Sequence, residues 1–285
     1  MFATVTVHNC VAGVSNSVVL RVTPSYPAPA YYPKENCPVP RSWGRKKPSL
    51  SHGNLEVTLR ERISEGRIGV VYSARVEKAT TGEGVDITSS LPNIVCLKFA
   101  KQHHCRSLAR EAWFYEQLHK WQGISIPEFY GFSTATFREQ ALDMDNFQPW
   151  TCLRTPSKLD PGLVADTELA KEYHSMDWLW DDDPSLSDCF SSSKFRDRSR
   201  WFQWSLDEEN PKIGLIVMEK LGQACAKVWL PNQPGDAFKS DILNVLDDVA
   251  KDGLCHTDVS AWNFLQYEGP ETDKRRCPRH GVVHK

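Results

Sequence analysis

Ile94-Val95-Cys96-Leu97-Lys98-Phe99-Ala100 has strand-forming composition with a single charge near its middle. Side chains alternate along a strand, so Lys98 shares a face with Ile94 and Cys96. A lysine on such an apolar surface either reaches water, as on an edge strand, or meets a negative partner. The helical spacing of Ser107–Trp121 supplies that partner. At about 100° per residue, Glu111 falls among Leu108, Phe114, Tyr115 and Leu118, whereas Glu116 points away. A carboxylate facing a core is costly unless paired, so Lys98 and Glu111 are expected to form an ion pair.

Outward from this pair, Leu55–Ile63 and Val70–Glu77 have strand character and flank Ser64-Glu65-Gly66-Arg67-Ile68-Gly69. The two glycines, Gly66 and Gly69, allow a tight turn whose N–H groups can approach phosphate oxygens, a pattern that also suits an ordinary hairpin. Ile126-Pro127-Glu128-Phe129-Tyr130-Gly131 leads into a further strand, and Ile213–Glu219 reads as a buried one. Ser240–Asp252 is predicted to be a helix with Ile242, Val245, Leu246 and Val249 on one face, and Gly253 is its expected left-handed C-cap. Behind it stands His256-Thr257-Asp258-Val259-Ser260-Ala261-Trp262-Asn263-Phe264-Leu265, a His-x-Asp-x-x-x-x-Asn pattern. Asp258 could accept a hydroxyl proton, and Asn263 could offer a carbonyl oxygen to a hard divalent cation. His-x-Asp on its own is often a turn; its place behind an amphipathic helix makes this one more specific.

Composition sets the remaining bounds. The 285 residues are 40% hydrophobic and 25% charged, enough to build a core in one or two domains. A net charge of −2 provides no global field to attract nucleic acid or an anionic membrane, so neither is expected as a partner. No run approaches the roughly 18 apolar residues that span a bilayer, and the N-terminus lacks signal-peptide character. Nine irregularly spaced cysteines fit a reduced intracellular protein, cytoplasmic or nuclear. Residues 1–53 are expected to be mostly disordered, since seven of the 18 prolines lie between Pro24 and Pro48. Thr4–Val22 within them reads weakly as strand. Residues 143–212 hold 15 acidic against eight basic residues and five of the ten tryptophans. They read as an inserted, partly disordered surface segment, open to proteolysis and offering a contact surface to a partner.

Taken in this order, the motifs resemble a eukaryotic-type protein kinase domain. Arg110-Glu111-Ala112-Trp113-Phe114-Tyr115, Ile126-Pro127 with Tyr130-Gly131, and Met218-Glu219-Lys220-Leu221-Gly222 are similar to a divergent kinase-like group common in fungi. The resemblance implies an α+β, two-lobed fold with a nearly complete N-lobe and an incomplete helical C-lobe, filling residues 54–285. The N-lobe would comprise 54–142 with 213–222, and the C-lobe would start at 223–285. It also implies ATP- and Mg-dependent phosphoryl transfer to a protein Ser/Thr hydroxyl. Gly66 and Gly69 would then cover the phosphates, and Lys98, paired with Glu111, would hold them. Val71 and Cys96 would roof the adenine above Leu265, with Met218, Glu219 and Leu221 at the hinge. Asp258 would be the base and Asn263 a magnesium ligand.

Three positions depart from that pattern. Ser64 replaces a loop glycine, Thr257 an arginine, and Ser260 a lysine near the transferred phosphate. No Asp-Phe-Gly follows Asn263, so the domain is expected to be truncated and its turnover crippled. Two other readings share these residues: a small-molecule phosphotransferase of the choline or aminoglycoside type, and a non-catalytic interaction module. Cys277, His280 and His284 have loose zinc-like spacing, but without a second cysteine pair they read as a polar loop.

Overall fold

The computed structural model describes residues 2–12, 17–31, 53–151, 177, 179, 190–191, 194–225, 236–254 and 263–266. The strands are β1 (Thr4–His8), β2 (Val18–Val22), β3 (Ala30–Tyr31), β4 (Asn54–Glu65), β5 (Gly69–Thr80), β6 (Ile94–Ala100), β7 (Phe129–Thr136), β8 (Phe190–Ser191) and β9 (Lys212–Glu219). The helices are α1 (Cys105–Gln117), α2 (Gln148–Thr151), α3 (Lys194–Asp197) and α4 (Asp236–Lys251).

Seven strands close into a barrel in the order β1-β2-β7-β9-β6-β5-β4. This overturns the α+β two-lobed, kinase-like fold with a helical C-lobe that the motif resemblance implied. The physical reason lies in residues 1–22. Val5, Val7, Val18 and Leu20 alternate with half-buried or exposed neighbours and bury against the interior. β1 runs parallel to β4, with Val5 opposite Leu55 and Val7 opposite Val57. β2 runs antiparallel to β7 at Arg21–Thr134 and Val22–Ser133. The hairpin thus joins the two edges that β4 and β7 would otherwise present to solvent, and closure removes them. Within the stretch expected to be mostly disordered, Thr4–His8 and Val18–Val22 are wall and core.

Among the described residues the barrel interior is mostly apolar, with buried Ser133 on its inner face. Leu55, Val57, Tyr72, Ala74, Val95, Leu97, Phe99, Ile213, Leu215 and Val217 project into it. Phe99, Phe137, Phe147 and Trp150 pack edge-on or stacked at 4.8–5.8 Å between ring centroids. The Trp150 indole N–H donates to the Ala100 carbonyl at 2.8 Å. Residues 143–212, read as a surface insertion, therefore contribute Phe147 and Trp150 to the core and bury Trp201 fully. Their acidic average conceals these anchors.

The outer face of β6 and β9 carries the first half of α1. Gly214 is needed here, because a β-carbon on it would come within 2.7 Å of the Cys105 sulfur. Gly69 is equally constrained, its β-carbon position lying 2.5 Å from the Phe99 carbonyl oxygen, whereas Gly66 faces open space. Gly69→Ala is expected to destabilise the chain by about 1–3 kcal/mol. Gly66→Ala should stay within about 0.5 kcal/mol. Urea unfolding of the two variants measures the contrast, and equal midpoints would contradict this packing.

The chain divides into two compact units. The barrel and the first part of α1, through Trp113, form the first. The second contains Phe114–Phe129 and the described residues from Met218 onward. Within it α4 begins four residues before the predicted Ser240 and ends at Lys251, and Gly253 adopts φ +73°, as a left-handed cap requires. Asp248 accepts from the Ser125 hydroxyl at 2.5 Å, and Asp252 accepts from the Trp121 indole at 2.8 Å. Among the described residues no helix is long and apolar enough to cross a membrane.

Candidate functional site

β6 and α1 bring together the two charges that strand alternation and helix phase place face to face. The Lys98 ammonium donates to both Glu111 carboxylate oxygens, at 2.8 and 2.7 Å. Their side chains remain 23% and 24% exposed, so the pair is held yet reachable from solvent. The β5–β6 register sets Val71 opposite Lys98, Ser73 opposite Cys96 and Gly69 opposite Ala100. Directly opposed residues share a face, so Gly69, Val71, Cys96 and Lys98 all lie on the outer wall of the barrel with Glu111 above them. The Ser73 hydroxyl is engaged elsewhere: it bonds the Glu61 backbone at 3.2 and 3.3 Å, filling an irregularity of β4 between Leu59 and Arg62.

The Gly66–Gly69 turn is a closed hairpin. The Gly66 N–H donates to the Gly69 carbonyl at 2.9 Å, so that donor is already used. Lys101 pins the tip, its N–H donating to Ile68 and its ammonium lying 2.7 Å from Glu65, which Arg62 also contacts.

In the second unit Met218 is buried, with the Tyr115 hydroxyl 3.9 Å from its sulfur. The Glu219 N–H donates to the Glu128 carbonyl at 2.8 Å, and its carboxylate accepts from the Glu128 N–H at 3.1 Å. Beyond Leu221, residues 222–225 pair with 264–266 through bonds of 2.7–3.0 Å, which sets Leu265 opposite Ala224. Leu265 is exposed, as is Asn263. His256, Thr257, Asp258 and Ser260 lie outside the described residues, as do Cys277, His280 and His284. Among the described residues no cluster of three His, Cys, Asp or Glu could hold a metal ion.

Burial narrows the chemistry further. Burial pushes the Cys10 thiol up to about 12 and raises Cys105 and Cys225 as well. None of the three offers a thiolate near neutral pH. Burial lowers Lys212, helped by the nearby Arg200 charge.

A second cluster escaped the sequence reading. The Asp177 carboxylate accepts from the Arg106 N–H at 2.6 Å and from the Ser107 N–H at 3.0 and 3.1 Å. Buried Tyr26 is bracketed by the Arg106, Arg110 and Arg196 guanidinium groups, 5.1, 4.3 and 5.7 Å from its ring centroid. Only the i, i+4 spacing of Arg106 and Arg110 was visible as a signal; nothing marks Asp177 among its acidic neighbours.

No family model matches the chain, and no curated protein or solved structure matches it significantly.

Proposed function

We propose that the chain binds ATP on the outer wall of the barrel and that its activity is kinase-type phosphoryl transfer to a protein Ser/Thr hydroxyl. The Lys98–Glu111 pair carries this reading. An ammonium fixed by two hydrogen bonds to one carboxylate, on the outer wall beside Val71 and Cys96, is a preorganised charge for phosphate oxygens. Val71 and Cys96 supply apolar surface beside it for a base. Asp258 would serve as proton acceptor and Asn263 as a magnesium ligand, from the His-x-Asp-x-x-x-x-Asn segment. Magnesium would neutralise charge on the transferred phosphoryl group. Among the described residues the cysteines Cys10, Cys105 and Cys225 are free thiols, which supports a reducing intracellular compartment.

A second reading is a nucleotide-binding module without turnover, favoured by the closed Gly66–Gly69 hairpin. The test incubates the full chain with magnesium and γ-labelled ATP against mixed protein acceptors and against hydroxylated small molecules. Label in protein is the expected result. Label in choline-like or aminoglycoside acceptors alone would move the reading to a small-molecule phosphotransferase. Saturable nucleotide binding with no transfer to either would favour the module.

A further inference from the structure

The first turn of a helix leaves backbone N–H groups without intrahelical partners, and a residue just before it usually caps them with a short oxygen-bearing side chain. In α1 the preceding residue is His104, whose carbonyl accepts the Leu108 N–H at 3.0 Å but whose imidazole is no such cap. Asp177, some 70 positions along the chain, takes over that role. Its two oxygens receive the Arg106 and Ser107 N–H groups, and its negative charge sits at the positive end of the helix dipole. His104 Nδ1 lies 3.7 Å from the same carboxylate. One turn further on, the Tyr26 N–H donates to the Ala109 carbonyl at 3.0 Å, and the Arg110 guanidinium donates to the Tyr26 carbonyl at 3.2 Å. Glu111 is the next residue.

We infer that Asp177 is a positioning residue: by capping α1 from the acidic segment, it holds the helix in the register that keeps Glu111 on Lys98. Asp177 is then a clamp on the helix that carries Glu111. This rests on the nucleotide reading given above for Lys98.

The test uses the full chain with Asp177→Ala and Asp177→Asn, reading amide exchange across 105–112 and MgATP affinity. Asparagine caps about as well as aspartate, and alanine does not. Asp177→Ala is therefore expected to speed α1 exchange roughly tenfold and weaken MgATP several-fold, with Asp177→Asn restoring most of both. Combining Asp177→Ala with Glu111→Gln should weaken MgATP little beyond Glu111→Gln alone, because both act through one ion pair. Should the alanine variant fail to fold, Asp177→Val, which also cannot accept the N–H groups but keeps more side-chain volume, reads the same exchange. Unchanged α1 exchange, or losses that multiply in the double variant, would overturn the proposal. If the wild-type chain binds no MgATP, the nucleotide reading falls, and exchange alone decides whether Asp177 holds α1.

Discussion

A chain lacking residues 1–22 is expected to be unfolded or aggregated. Val5, Val7, Val18 and Leu20 are all at most 3% exposed and fill the barrel from β1 and β2. Removing four such side chains forfeits about 1.5–3 kcal/mol each, against total stabilities of about 5–15 kcal/mol. The deletion also strips the hydrogen-bonded partners from one edge each of β4 and β7, leaving unpaired edges that template aggregation. Leu20→Ala is the graded version, expected to cost about 2–5 kcal/mol in urea unfolding. A shortened chain that remained monomeric and melted cooperatively near the full-length temperature would show that the hairpin is dispensable and the closed barrel is not the stable fold.

What could be read from the residues follows from how local the signal is. β6 is predicted with its observed bounds, because Ile94–Ala100 alternates between two buried surfaces and ends at polar residues. The orientation of Glu111 was legible because helical phase is a local property: three residues in either direction fix it. Barrel closure was not. It depends on β1 finding β4 some 50 residues away and β2 finding β7 more than 100 residues away. Neither pairing leaves a mark within the short, proline-flanked stretch itself, and a familiar order of motifs then supplied the wrong architecture. Trp150 and Phe147 were hidden differently, as two core anchors within a segment whose average composition is that of a surface loop. Asp177 was hidden among other acids, since a cap supplied from a distant part of the chain has no fixed spacing to search for.

The second large effect is expected at the ion pair. Glu111→Gln keeps the side-chain shape but removes the charge that fixes the Lys98 ammonium. It is expected to reduce nucleotide affinity by roughly tenfold or more, while stability falls by only about 1–2 kcal/mol. Glu116→Gln, on the same helix but outside the Lys98 contact, should leave affinity within about twofold of wild type. The two variants differ in one respect that matters here: only one removes a partner of Lys98. A larger loss from Glu116→Gln would show that α1 presents a different face to the ligand.

The most direct measurement is calorimetric titration of MgATP into the full chain and into Lys98→Met, with a thermal melt of each to confirm folding. Methionine retains most of the apolar stem of lysine and loses only the ammonium, so β6 packing should survive. Saturable binding by the wild type, weakened at least roughly 30-fold in Lys98→Met at a similar melting temperature, is the expected outcome. Equal affinity of the two proteins, or no binding by a folded wild type, would contradict the assignment of the barrel's outer wall as a nucleotide site.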